Sequence, residues 1–135
     1  MNTQRSVILA LVIYSIIAVW GYFIDSVVEF WFLAWLVAVV QGGSQALSRS
    51  LFGRMAPKAR SAEFFGFYDI SSKFAGIAGP ALFAVVGQLT GSSRLGIIAL
   101  IIFFIGGIVL LGRVDEKEGI RVAEEEDRQF MEAAL

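Results

Sequence analysis

Four long stretches of the chain carry no charged residue: Ser6–Ile24, Phe30–Ser48, Phe74–Ser93 and Leu95–Gly112. A helix crossing about 30 Å of hydrocarbon needs roughly 20 mostly apolar residues. Each stretch has about that length. The pattern predicts four membrane-spanning helices at about 6–24, 27–48, 64–88 and 95–112. A very short turn with Asp25 and Glu29 nearby joins the first two, and "TGSSR" joins the last two. A middle loop, 49–63, separates the pairs, and a charged tail, 113–135, follows the membrane region of 1–112. The expected class is therefore an all-α integral membrane protein.

The first apolar stretch is too long for a signal peptide. It has 19 residues and runs on through "VWGYFIDSVVEF", with no small-residue cleavage site.

Composition supports the membrane reading. Of 135 residues, 57% are hydrophobic and 17% charged. The chain has no cysteine and no histidine. Disulfides, thiolate or imidazole metal sites and serine–histidine or cysteine catalysis are excluded. No cofactor and no metal are expected. The net charge of −1 is uninformative about nucleic acid. No base-stacking or P-loop pattern occurs, so no nucleic-acid partner is expected.

The distribution of cations predicts orientation. The middle loop and its flanks carry Arg49, Arg54, Lys58 and Arg60 against Glu63 alone. Cytoplasmic loops are enriched in Lys and Arg. The middle loop and both termini are thus expected in the cytoplasm, with Arg5 and Arg113 agreeing and Arg94 alone on the far side. The expected location is the inner or plasma membrane, with the lipid bilayer as the first partner. The tail holds eight acids and four bases, and is expected either as a surface helix or as a mobile solvated segment.

Polar marks interrupt the spans. Gln41, Gln45 and Ser48 share one face of the second span. Their side chains either bond to a neighbouring helix or line a wet path, because an unpaired amide in hydrocarbon costs a few kcal/mol. Another face repeats Ala34, Ala38, Gly42, Ala46 and Ser50. Such small-residue faces are expected to pack closely in membranes. In the third span, Asp69 and Lys73 stand four apart, acid first, the favourable order for a helical pair. Lys73 either snorkels to the interface beside Asp69 or faces a water-filled path. Pro80, with Gly76 and Gly79, is expected to bend that span. Ser72, Gly76, Pro80 and Ala84 form a second small stripe.

The ordered run "GGSQALSRSLFGRMAPKARSAEFFGFYDISSKFAGIAGP", Gly42 to Pro80, resembles the major facilitator superfamily. More narrowly it resembles the vacuole-effluxer-like, or Unknown Major Facilitator, branch. The features that carry the likeness are "QALSRSLF", the Arg- and Pro-containing loop, "EFFGFY" and "KFAGIAGP". The resemblance covers the spans and not the tail. It implies the last four of twelve spans, a small-molecule substrate, and missing N-terminal spans or a partner subunit to complete the path. Fungal relatives imply amino acids as substrate. The chain is then expected to be a C-terminal fragment of a secondary transporter, not an enzyme. Gln41, Gln45, Asp69 and Lys73 are the path or gating candidates. Two other readings stand beside it. One is a dimeric small multidrug exporter, although the first span lacks the carboxylate such proteins need. The other is a structural or regulatory membrane subunit.

Overall fold

The computed structural model describes residues 3–135. Its elements in chain order are α1 (Thr3–Phe23), α2 (Val27–Met55), a 3₁₀ turn (Lys58–Arg60), α3 (Ser61–Thr90), α4 (Ser93–Ala99), α5 (Ile101–Gly112) and α6 (Glu116–Ala133). Four segments are long and apolar enough to cross a membrane: α1, α2, α3 with its leading turn, and α4 with α5.

Local chemistry sets the helix ends. Ser26 caps α2 by accepting the Val28 N–H at 3.2 Å. Gly91 closes α3 in the left-handed region at φ 68°, where a side chain would be strained. At its other end α2 runs to Met55, seven residues beyond the expected limit at 48. Nothing in "SRSLFGRM" breaks a helix. Pro57 then forces Ala56 into an extended conformation (φ −97°, ψ 132°). Arg49 and Arg54 therefore stand on a helix and not in a loop.

The third span is one unbroken helix through Pro80. A proline removes one N–H donor, and the remaining ladder keeps the helix continuous. The interruption falls in the fourth span, at Leu100. There the Leu100 N–H bonds three residues back to Ile97 at 3.2 Å, and Phe103 bonds back to Leu100 at 3.0 Å. No proline marks this site in the sequence.

The central element is α1, which packs on α2, α4 and α5, while α3 packs on α4. The buried residues of α1 are Val7, Ala10, Ile17, Ala18 and Gly21, at helical spacing. Three of the five are Ala or Gly, so neighbouring backbones approach closely. Tyr14 stacks on Phe104 of α5 at 5.3 Å between ring centres. A Cβ on Gly96 of α4 would stand 2.8 Å from the Phe83 ring and 3.1 Å from its carbonyl oxygen. Contact between α2 and α3 is concentrated near their connection, where Phe52 meets Phe64, Phe65 and Tyr68.

Polar contacts sort the two ends of the bundle. At one end Arg94 donates to the Tyr22 and Ile24 carbonyls (3.1 and 2.9 Å) and pairs with Asp25 (2.8 Å). Trp20, Tyr22 and Trp31 cluster near this end, as aromatic side chains do at a membrane interface. The start of α1, the α2–α3 connection and α6 gather at the opposite end.

The tail is thus a docked helix. Asp115 caps it, accepting the Lys117 and Glu118 N–H groups. Glu116 is buried and pairs with Arg54 at 3.1 Å. Arg54 also donates to Thr3 at 2.9 Å, and the Gln4 side chain donates to the Leu111 and Val114 carbonyls (2.5 and 2.7 Å). Asp127 accepts the backbone N–H groups of Lys58 and Ala59, both at 2.9 Å. Those two bonds, Ala59 first, hold its carboxyl below the usual range.

Two outcomes follow. Gly96→Ala lowers stability by about 1–3 kcal/mol through overpacking, whereas Gly42→Ala, which meets no atom within 4 Å, is close to neutral. Thermal denaturation in detergent micelles compares the two, and equal melting would contradict the α3–α4 contact. The Asp127 tether is complete above its unfolded pKa of about 3.9 and is lost as pH falls through the lower folded value. The Lys58 and Ala59 amide resonances should hold constant from neutral pH to about 5 and move only in stronger acid.

Candidate functional site

Gln45 and Arg49 lie one turn apart on α2, and Tyr68, Asp69 and Ser72 follow one face of α3. Together with Gly42 and Ala46 they line a groove of about 450 Å³ between the two helices. Arg49 Nη1 lies 3.6 Å from Asp69 Oδ1, and its guanidinium sits 5.2 Å above the Phe65 ring. The pair is a charge contact too long for a hydrogen bond. Both side chains are more than half exposed, at 59% and 54%. Ser72 donates to the Tyr68 carbonyl at 2.9 Å. The Gln45 amide has no hydrogen-bond partner among the described residues. The groove thus presents a loosely paired cation and anion beside a free amide.

Asp69 does not pair with Lys73, the partner that the four-residue spacing suggests. An exposed helical pair at that spacing contributes only about 0.3–0.5 kcal/mol. The guanidinium arriving from α2 takes the carboxylate instead. Lys73 is exposed and makes no ion pair among the described residues. Gln41 lies one turn beyond Gln45, exposed and outside the groove lining.

The expected close packing of the two small-residue stripes does not occur within this chain. Ala34, Ala38, Gly42, Ala46 and Ser50 are exposed, and so are Ser72, Gly76, Pro80 and Ala84. A Cβ on Gly42, Gly76 or Gly79 would meet nothing within 4 Å. The reason is topological: the bundle closes through α1, on the other side of α2. Arg54 and Arg60 are engaged elsewhere, and Lys58 is held only through its backbone. Arg54 holds Glu116, the Lys58 backbone bonds Asp127, and Arg60 pairs with Glu63 at 2.7 Å. Arg49 alone faces the groove. Its place was legible, since it continues the Gln41–Gln45 spacing by one more turn. Glu116 and Asp127 had no such signal.

A second groove of about 530 Å³ runs between α1 and α5. Valines, isoleucines, Trp20 and Ser15 line it, and Ser15 bonds to the Leu11 carbonyl at 3.0 Å. It holds no titratable group.

The family model described as vacuole effluxer Atg22 like matches residues 1–124. The chain belongs to this family. An uncharacterized MFS-type transporter of Bacillus subtilis, YxiO, is 50% identical over 117 residues, which cover 87% of this chain and 27% of the relative. Autophagy-related protein 22 of Cryptococcus neoformans is 31% identical over 97 residues, covering 72% of this chain and 18% of the relative. The same-named protein of Candida glabrata is 28% identical over 130 residues, covering 90% and 24%. The chain thus spans about a quarter or less of these curated relatives. No solved structure matches it. Family and helices together make it a multi-pass integral membrane protein of a transporter family, consistent with a non-enzymatic role.

The geometry assigns Asp69 to Arg49, and a double-mutant cycle reads that assignment. Asp69→Asn with Arg49→Gln should show coupling of about 0.2–1 kcal/mol, the value for a hydrated pair. Asp69→Asn with Lys73→Met should show none. Melting in lipid nanodiscs measures both. Coupling to Lys73 alone would return the pair to one helix.

Proposed function

We propose that the chain is the C-terminal part of a longer transporter of the major facilitator type, supplying the last four of twelve spans. It contributes one wall of a path for a small solute. The observation that carries this reading is the open Arg49–Asp69 couple beside Gln45, between two helices long and apolar enough to span a membrane, in a chain of a transporter family. Charged groups inside spanning helices face protein or water, not lipid. The exposed stripes on α2 and α3 then become the faces on which the remaining spans, or a partner subunit, pack.

The groove favours an amino acid as solute. A zwitterion offers a carboxylate to Arg49 and an ammonium to Asp69, replacing a 3.6 Å contact that lacks a hydrogen bond with two charge-assisted ones. Gln45 adds a donor and an acceptor beside them. The excess of cations at this end supports a cytoplasmic placement, so the groove opens toward the cytoplasm of the inner or plasma membrane. Gln41 and Lys73 stand further along the same helices and would meet the solute deeper in the path. Efflux is the direction suggested by the family's description.

A tag at the C-terminus of the chromosomal copy should report a product several-fold heavier than 14.7 kDa. A band at 14.7 kDa would overturn the fragment reading. Reconstituted in vesicles, the full-length product should move amino acids. Asp69→Asn should slow that transport by about tenfold or more, the loss expected for one charge-assisted contact. Failure to move any small solute under any gradient would remove the proposal.

A further inference from the structure

We propose that α6 is a clasp that sets the separation of α2 and α3, and hence the width of the groove between them. The inference concerns the shape of the groove and stands whether or not the groove carries a solute. It rests on how little else holds these two helices together. Their contacts are the Phe52 cluster near the connection, the Arg49 guanidinium over the Phe65 ring and the loose Arg49–Asp69 pair. The connection itself is short, with an extended Ala56–Pro57 and a single 3₁₀ turn.

On the α2 side, α6 is held by the buried Glu116, paired with Arg54 at 3.1 Å. Gly119 of α6 lies so close to Met55 that a Cβ there would displace the Met55 side chain. On the α3 side it is held by Asp127, whose two oxygens each take one backbone N–H, from Ala59 and Lys58, at 2.9 Å. That turn leads directly into Ser61, the first residue of α3. Between these anchors α6 is one continuous helix, with Arg121 bridging Glu118 and Glu125 on its exposed face. Asp127 stands eleven positions after Glu116, about 16–17 Å of helix at 1.5 Å per residue. A strut of fixed length thus joins the end of one groove wall to the start of the other. Releasing the Asp127 end leaves the start of α3 held against α2 by the aromatic cluster and the Arg49 contacts alone, while its far half stays packed on α4.

These 135 residues contain no cysteine, so the cysteines introduced for spin labels stand alone among them. Labels at the exposed Val39 of α2 and Ile77 of α3 report the separation of the walls by pulsed electron resonance, in the full chain in nanodiscs. Amide exchange at Lys58 and Ala59 reports the Asp127 anchor in the same samples. In Asp127→Ala, exchange at both amides should quicken by about tenfold, and the distance distribution should broaden and move outward. Asp127→Asn, which keeps one acceptor oxygen, should fall between it and the native chain, and it serves if the alanine variant does not fold. Glu132→Gln, away from both anchors, should match the native chain. Faster exchange with an unchanged distance distribution would overturn the clasp. Unchanged exchange would overturn it too, since the anchor would then not be holding.

Discussion

A helix already in lipid gains little from burying more apolar surface, because the lipid tails are as apolar as leucine. Association must come from close van der Waals contact and a few polar bonds. The bundle depends on one surface that satisfies this condition, the Ala10, Ala18 and Gly21 face of α1. It brings α2 to one side and α4–α5 to the other, and Gly96 lets α3 approach α4 in the same way. Larger side chains on these faces would separate the backbones and weaken the dispersion contacts that hold them.

With the small-residue contacts centred on α1 and α4, the polar bonds fall to the two ends. Arg94 ties the α1–α2 turn to the start of α4 at one end. Gln4, Arg54, Glu116 and Asp127 tie the other. Between these ends α2 and α3 are held together weakly, and their small-residue stripes and polar groups face outward. A wall with loosely paired charges is costly in lipid and useful beside water. This is the physical link between the packing and the transporter family to which the chain belongs.

The candidate site was partly readable. The alignment of Gln45 and Arg49 follows from a period of 3.6 residues, and so does the shared face of Asp69 and Ser72. What could not be read was which charge Asp69 meets. Helical spacing offers Lys73, and only the neighbouring helix brings Arg49. The interruption at Leu100 was equally hidden, since no proline or polar residue marks it. The tail was ambiguous for a related reason. Its charges suit a solvated helix, and the two that anchor it, Glu116 and Asp127, find their partners about 60–70 positions away, too far for any local pattern to show.

The sequence by itself determined the number of membrane-spanning segments, the short turns, and the gathering of cations at one end. Each of these follows from a local property: length of apolar run, turn residues, or charge in a loop. The fold alone decided which small-residue face packs and which stays open. Three faces in this chain are rich in Ala, Gly or Ser, on α1, α2 and α3, and only that of α1 is packed within it. Side chains on a helix are fixed by its period, but the neighbour that meets them is fixed by the topology of the whole bundle.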